Sequence, residues 1–104
     1  MVAQSEAFQK ATVDSKKLTA KPTNEELLDL YALFKVGTGE DFDKAPQPGM
    51  FDLKGKAKYN AWKKAVEDGI TPEQAQEKYV ALVEELKKKY GYDENKVPEN
   101  VGNQ

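Results

Sequence analysis

Apolar positions recur along this chain at the three-to-four-residue spacing of amphipathic helices, and no stretch shows the strict alternation of a half-buried strand. The most apolar stretch is 23–38, TNEELLDLYALFKVGT. Thr23 and Glu26 stand in capping-box spacing, so each satisfies a backbone donor at the start of a helix, and Gly37 and Gly39 are placed to end it. At about 100° per residue, Leu27, Leu30 and Phe34 share one stripe. Leu28, Tyr31 and Lys35 form a second line, and Leu33 and Val36 lie on a further side. A helix apolar over most of its circumference needs cover on more than one face. In a short chain, a ligand can supply part of that cover.

Three further helices are predicted around it. The first spans Ser5–Leu18, capped by Ser5, with Phe8, Ala11, Ser15 and Leu18 on one stripe. Lys16 and Lys17 would complement the dipole at its end. The third spans Asp52–Glu67 with Asp52 as cap, a Tyr59–Trp62–Val66 stripe and a small-residue face of Ala57, Ala61 and Ala65. The fourth begins at Thr71-Pro72-Glu73-Gln74, where a capping box is combined with proline at the first helical position. Tyr79, Leu82, Val83, Leu86 and Tyr90 carry its stripe to Gly91, a good residue to end a helix. Between the second and third helices, 37–50 is rich in Gly, Pro and Asp and reads as a loop long enough to be functional. Residues 1–91 thus form one all-α domain, a four-helix bundle, and 92–104 a loosely held polar tail.

Composition narrows the function. The 104 residues are 38% hydrophobic and 33% charged, as expected of a folded globular chain. With no Cys and no His, there is no thiol or imidazole for catalysis and no ordinary zinc site. Asp41 and Asp43 lack the remainder of a calcium loop, so no metal is expected. No nucleophile–base signature is present, which points away from an enzyme. No apolar run reaches the ~20 residues of a membrane span, and the N-terminal stretch lacks a signal-peptide core, so a cytoplasmic location is expected. A net charge of −2 gives no global attraction to nucleic acid, so any basic site must be local.

Such a site is visible. Between Lys54 and Lys64 there are five lysines and no acid, and Lys54 and Lys58 are one helical turn apart. Runs of this kind are most often solvated faces, but here they interleave with Tyr31, Phe34, Tyr59, Trp62 and Tyr79. Aromatic faces stack on nucleobases and lysines attract phosphate. Core packing is the competing role for each aromatic, above all Trp62. A different reading makes the basic 54–64 face a docking surface for an acidic protein partner. Nucleic-acid binding through the same lysines is a weaker third, opposed by the net acidity.

Read in order, KPTNEELLDLYALFKVGTGED, PGMFDLKGKAKYNAW and EKYVALVEELKKKYG resemble the acyl-CoA-binding protein family, over about Phe8 to Gly91. The resemblance is to a compact single-domain member with a short C-terminal extension. It implies an up-down-down-up four-helix bundle shaped as a shallow bowl, binding medium- to long-chain fatty acyl-CoA as a carrier and pool former, without a cofactor. It implies that Tyr31 and Lys35 engage the adenosine 3′-phosphate, with Phe34 stacking on adenine and Lys58 on the same phosphate. Lys54 and Lys16 match further head-group positions, and Tyr79 a ligand contact from the fourth helix. Leu28 and Ala57 would wall the acyl chain, and Ala32 and Leu33 complete the site segment 31–35. A monomer is expected, in transient contact with acyl-CoA-using enzymes or membrane surfaces. The chain departs from the family pattern at Phe34, where Tyr is usual, and at Val36, where Gln is common.

Overall fold

The computed structural model describes residues 3–95, which form four α-helices: α1 (Glu6–Asp14), α2 (Asn24–Gly37), α3 (Leu53–Glu67) and α4 (Pro72–Tyr90). A single 3₁₀ turn, Phe42–Lys44, punctuates the loop between α2 and α3. Local hydrogen bonds fix the helix starts where the sequence placed them. Thr23 Oγ1 accepts from the Glu26 N–H while Glu26 Oε1 accepts from the Thr23 N–H, at 3.2 and 2.9 Å. Thr71 and Gln74 repeat the arrangement at α4, and Asp52 Oδ1 caps α3 by accepting from the Gly55 N–H at 2.9 Å.

α1 is shorter than its apolar stripe suggests, ending at Asp14 rather than Leu18. Ser15 Oγ donates to the Thr12 carbonyl, and the Lys16 and Lys17 amides donate to Val13 and Asp14, which tightens the chain into a turn. Lys16 and Lys17 therefore lie beyond the helix and do not complement its dipole. Leu18 is still buried, but as the partner of Tyr92 in an isolated antiparallel bridge.

The start of the tail is held in place by that bridge. Thr19 and Asp93 amides donate to the carbonyls of Gly91 and Lys17, and Thr19 Oγ1 donates to the Tyr90 carbonyl. Gly91 turns the chain at φ 83°, and a side chain there would collide with Thr19 Oγ1, so glycine is required twice over. The Tyr92 hydroxyl donates to Asp14 Oδ1 at 2.9 Å. Asp14 itself is buried and pairs with Lys87 at 2.7 Å and Lys10 at 2.8 Å. The rest of the expected tail, 96–104, lies outside the described residues.

α2 packs on both α3 and α4, and α4 also packs on α1. Contacts Ser5–Gln76 and Asp14–Lys87 advance together, so α1 and α4 are parallel. Gly37–Gln76 and Glu26–Lys89 run in opposite senses, so α2 is antiparallel to α4. The core falls into two clusters either side of α2. Toward α1 and α4, Leu27 and Leu30 meet Phe8, Tyr79, Val83 and Leu86. Toward α3, Ala32 and Val36 meet Trp62, Ala65 and Ala75. The α3 stripe is thus Trp62 with Ala65; Val66, expected to join it, is 44% exposed. Gln76 pins the end where three elements meet, donating to the Ala3 and Gly37 carbonyls and accepting from the Ser5 N–H.

Candidate ligand site

An open cavity of about 600 Å³ lies between α2, α3 and the loop joining them. Tyr31 and Lys35 enter from α2, Lys58, Tyr59 and Trp62 from α3, and residues 44–49 of the loop form the outer wall. The one-turn spacing of Tyr31 and Lys35 places both on one helical line, with Tyr31 packed against the edge of the α3-facing cluster. The loop wall is anchored by Phe42, whose ring packs 4.8 Å from Tyr59 and edge-on to Trp62 at 5.1 Å.

Two ammonium groups from different helices converge on one aromatic ring. Lys35 Nζ lies 5.6 Å and Lys58 Nζ 5.5 Å from the Tyr31 ring centroid, and Lys35 is also 5.6 Å from the Trp62 ring. These are cation–π distances, and they hold the lysine heads at the cavity instead of letting them disperse into solvent. Burial pushes the Lys58 ammonium below its usual pKa, and the nearby charge of Lys54 and, more weakly, that of Lys35 push the same way, against an opposing pull from Asp52. Burial and two neighbouring cations thus disfavour the Lys58 charge, and an anion beside it would relieve this. Lys35 has one acidic neighbour: Glu40 sits 3.0 Å from its Nζ, and Thr38 Oγ1 donates to the same carboxylate.

The structure brings Tyr31, Lys35 and Lys58 together, with Lys54 exposed one turn from Lys58. Lys16, Leu28 and Ala57 are half-buried and lie outside the cavity lining. Ala32 is buried in the α3-facing core, and with Leu33 borders a separate cleft beside Asp29 and Lys64. Phe34 is half-buried over the rings of Phe8 (6.1 Å) and Tyr79 (6.3 Å), so part of its face is committed to the core. Tyr79 lies in the closed core. It is 0% exposed, edge-on to Phe8 at 5.1 Å, with its hydroxyl 3.2 Å from Ser15 Oγ. Burial pushes its phenol up to about 12. Sequence reasoning missed Glu40, Phe42 and the 44–49 wall; the lone aromatic in a Gly-, Pro- and Asp-rich loop was the available signal for Phe42.

Comparison with known proteins settles the family. The sequence profile described as "Acyl CoA binding protein" matches residues 5–83. The chain belongs to the acyl-CoA-binding protein family. It is 53% identical over 85 residues to acyl-CoA-binding protein homolog 1 of Caenorhabditis elegans, spanning 82% of this chain and 95% of that one. An acyl-CoA-binding protein homolog of Manduca sexta is 46% identical over 81 residues, covering 78% and 88% of the two chains. The crystal structure of Oryza sativa Acyl-CoA-Binding Protein 2 superposes with a TM-score of 0.69 at 32% identity, covering 81% of this chain and 90% of that one. The all-α fold is that of the acyl-CoA-binding proteins, and the Tyr31–Lys35–Lys58 constellation lies within the matched region.

Proposed function

We propose that this protein binds medium- to long-chain fatty acyl-CoA esters and acts by binding alone, as a monomeric cytoplasmic carrier and pool former. The observation that carries the reading is the convergence of Lys35 and Lys58 on the Tyr31 ring at an open cavity, within a chain of the acyl-CoA-binding protein family. Lys35 and Lys58 seat the 3′-phosphate of the adenosine, Lys54 adds charge beside them, and the Tyr31 hydroxyl is a donor to the same group. The half-buried Phe34 offers the adenine whatever face Phe8 and Tyr79 leave free. Leu28 and Ala57 flank the acyl chain, and Lys16 serves the more distant head-group phosphates.

The energetics require both ends of the ligand. Each buried methylene contributes ~0.8 kcal/mol, so a chain of about 16 carbons offers on the order of 10 kcal/mol before ordering costs. Those costs remove a large part of it. Free fatty acid and free CoA should therefore each bind far more weakly than the ester. Calorimetry with palmitoyl-CoA, palmitate and CoA tests this, and absence of saturable ester binding would sink it. Lys35→Ala and Lys58→Ala should each weaken the CoA ester by roughly tenfold, as loss of a charge-assisted contact does. The 3′-dephospho ester should lose much less; equal losses for both ligands would contradict the phosphate assignment.

A further inference from the structure

Lys16 and Lys17 lie past the end of α1 and are half-buried, and neither ammonium is in an ion pair among the described residues. Outside a helix, another part of the chain must fix where such side chains stand. The strap 91–93, just beyond α4, does this. Its Asp93 amide donates to the Lys17 carbonyl and its Gly91 carbonyl accepts from the Thr19 amide, at 3.1 Å each, with Leu18 bridged to Tyr92 between them. A slip of one residue in this pairing would turn Leu18, 3% exposed, out of the core. On the other side of Lys16, Ser15 is buried with its Oγ 3.2 Å from the Tyr79 hydroxyl. Lys16 therefore stands between an anchor in the core and an anchor in the strap.

The strap is fastened in turn by Tyr92. The Tyr92 hydroxyl donates to Asp14 Oδ1, and Lys87 Nζ lies 4.6 Å from the centre of the Tyr92 ring. The same ammonium is 2.7 Å from Asp14 Oδ2. Tyr92, Lys87 and Asp14 thus form a closed triangle that joins the strap, α4 and the last residue of α1.

We propose that Tyr92 is a positioning residue for ligand binding: through the strap it fixes the 15–19 turn and holds the Lys16 ammonium where it meets the phosphates of the CoA head group. This rests on the acyl-CoA reading, which assigns Lys16 to those phosphates, and adds what makes that lysine effective. A half-buried lysine on a pinned turn loses little freedom when an anion arrives. The same lysine on a loose connector would have to be ordered on binding, and that ordering would weaken the complex. Asp14, two residues before Lys16, is already committed to Lys10, Lys87 and Tyr92.

The test is a double-mutant cycle in the full chain, read by calorimetry with palmitoyl-CoA. Lys16→Ala should weaken ester binding about fivefold in the unmodified chain, as loss of one charge-assisted contact at a partly exposed site does. In the Tyr92→Ala background the same change should cost less than about twofold, because the lysine is no longer held. A strap that only stabilised the fold would lower the denaturation midpoint and leave the Lys16 factor equal in both backgrounds, which would overturn the proposal. Asp93→Pro removes the amide that holds the Lys17 carbonyl without touching the Tyr92 ring. It should reduce the Lys16 factor in the same way, and it decides the matter if Tyr92→Ala does not fold. Deuterium exchange without ligand measures the turn directly. The Thr19 amide should exchange at least about tenfold faster in either variant, and unchanged exchange would overturn the proposal. If the unmodified chain and Lys16→Ala bind the ester equally well, the strap's role falls while the acyl-CoA reading stands. No ester binding by the unmodified chain would sink that reading and the strap's role with it.

Discussion

The two faces of α2 are packed in opposite ways. On the α1 and α4 side, large side chains interlock: Phe8, Leu30, Tyr79, Val83 and Leu86 are sealed from solvent, and the polar groups among them are paired. Tyr79 meets Ser15, Glu26 meets Tyr90, and Asp14 meets Lys87 and Tyr92. On the α3 side, the cluster is built from Ala32, Val36, Ala65 and Ala75 around Trp62. It leaves the Trp62 Nε1 buried without a hydrogen-bond partner among the described residues and opens directly into the cavity. One face is closed and satisfied, and the other is thin and incompletely satisfied. A small helical domain that must keep a ligand cavity open cannot pack both sides equally, because the residues that would fill the cavity are those that would have sealed it.

The division has a large consequence for stability. Phe8→Ala removes a ring that touches both Phe34 and Tyr79 in the closed cluster, and should cost about 3–5 kcal/mol in denaturant unfolding. Lys35→Ala and Lys58→Ala on the open side should leave the denaturation midpoint almost unchanged while they weaken the ligand. If a lysine variant destabilised the fold as much as Phe8→Ala, the separation of roles between the two faces would be lost.

The sequence reveals one side of this comparison better than the other. Capping boxes involve groups three residues apart, so Thr23 with Glu26 and Thr71 with Gln74 are legible from spacing alone. The Tyr31–Lys35 line is legible for the same reason. Asp14 is not, because its partners Lys87 and Tyr92 are 73 and 78 residues away and only the parallel docking of α1 on α4 unites them. The early end of α1 goes with the same contacts, since Leu18 pairs with Tyr92 in an isolated bridge rather than continuing the helix. Tyr79 is ambiguous in sequence, since a tyrosine on an apolar stripe serves equally as core or ligand contact; its hydroxyl lies beside Ser15, 64 residues away. Met50, Phe51 and Leu53 are the reverse case. Apolar residues in a sequence suggest burial, and only the turn geometry turns them outward.

A smaller effect separates the closed face by pH. Asp14 is desolvated by burial, which alone would raise its pKa, but hydrogen bonds from Lys10, Lys87 and Tyr92 outweigh this and bring it from 3.8 to about 2. The Tyr90 hydroxyl, the Thr23 amide and Lys89 likewise hold Glu26 at about 2. A carboxylate with a depressed folded-state pKa stabilises the fold above its unfolded pKa, and this is lost as pH falls through the folded value. Stability should therefore be flat from neutral pH to about 4 and decline toward pH 2. Asp14→Asn should cost about 1–2 kcal/mol at neutral pH, after allowance for the exposed Lys10 arm, and almost nothing at pH 2. The slope that remains in the variant would belong to Glu26. Parallel curves for variant and parent across this range would show that Asp14 acts through packing, not charge.

The smallest predicted effect concerns the open face and the acid paired with its lysine, Glu40. Glu40 holds the Lys35 ammonium at 3.0 Å and is braced by Thr38, so the cation that should receive phosphate already has an anionic partner. An arriving phosphate must share Lys35 with this carboxylate or displace it. The ion pair is partly exposed, the lysine 22% and the carboxylate 41%, and such pairs contribute at most about 1 kcal/mol. Glu40→Gln should therefore tighten binding of phosphate-bearing CoA esters by no more than about fivefold, and leave the 3′-dephospho ester unchanged. The gain should shrink as salt rises, because screening weakens the competitor it removes. A loss of affinity in the variant would carry the opposite meaning. Glu40 would then be the residue that aims Lys35 at the cavity, and the thin face of α2 would be preorganised by its only opposing charge on that lysine among the described residues instead of held back by it.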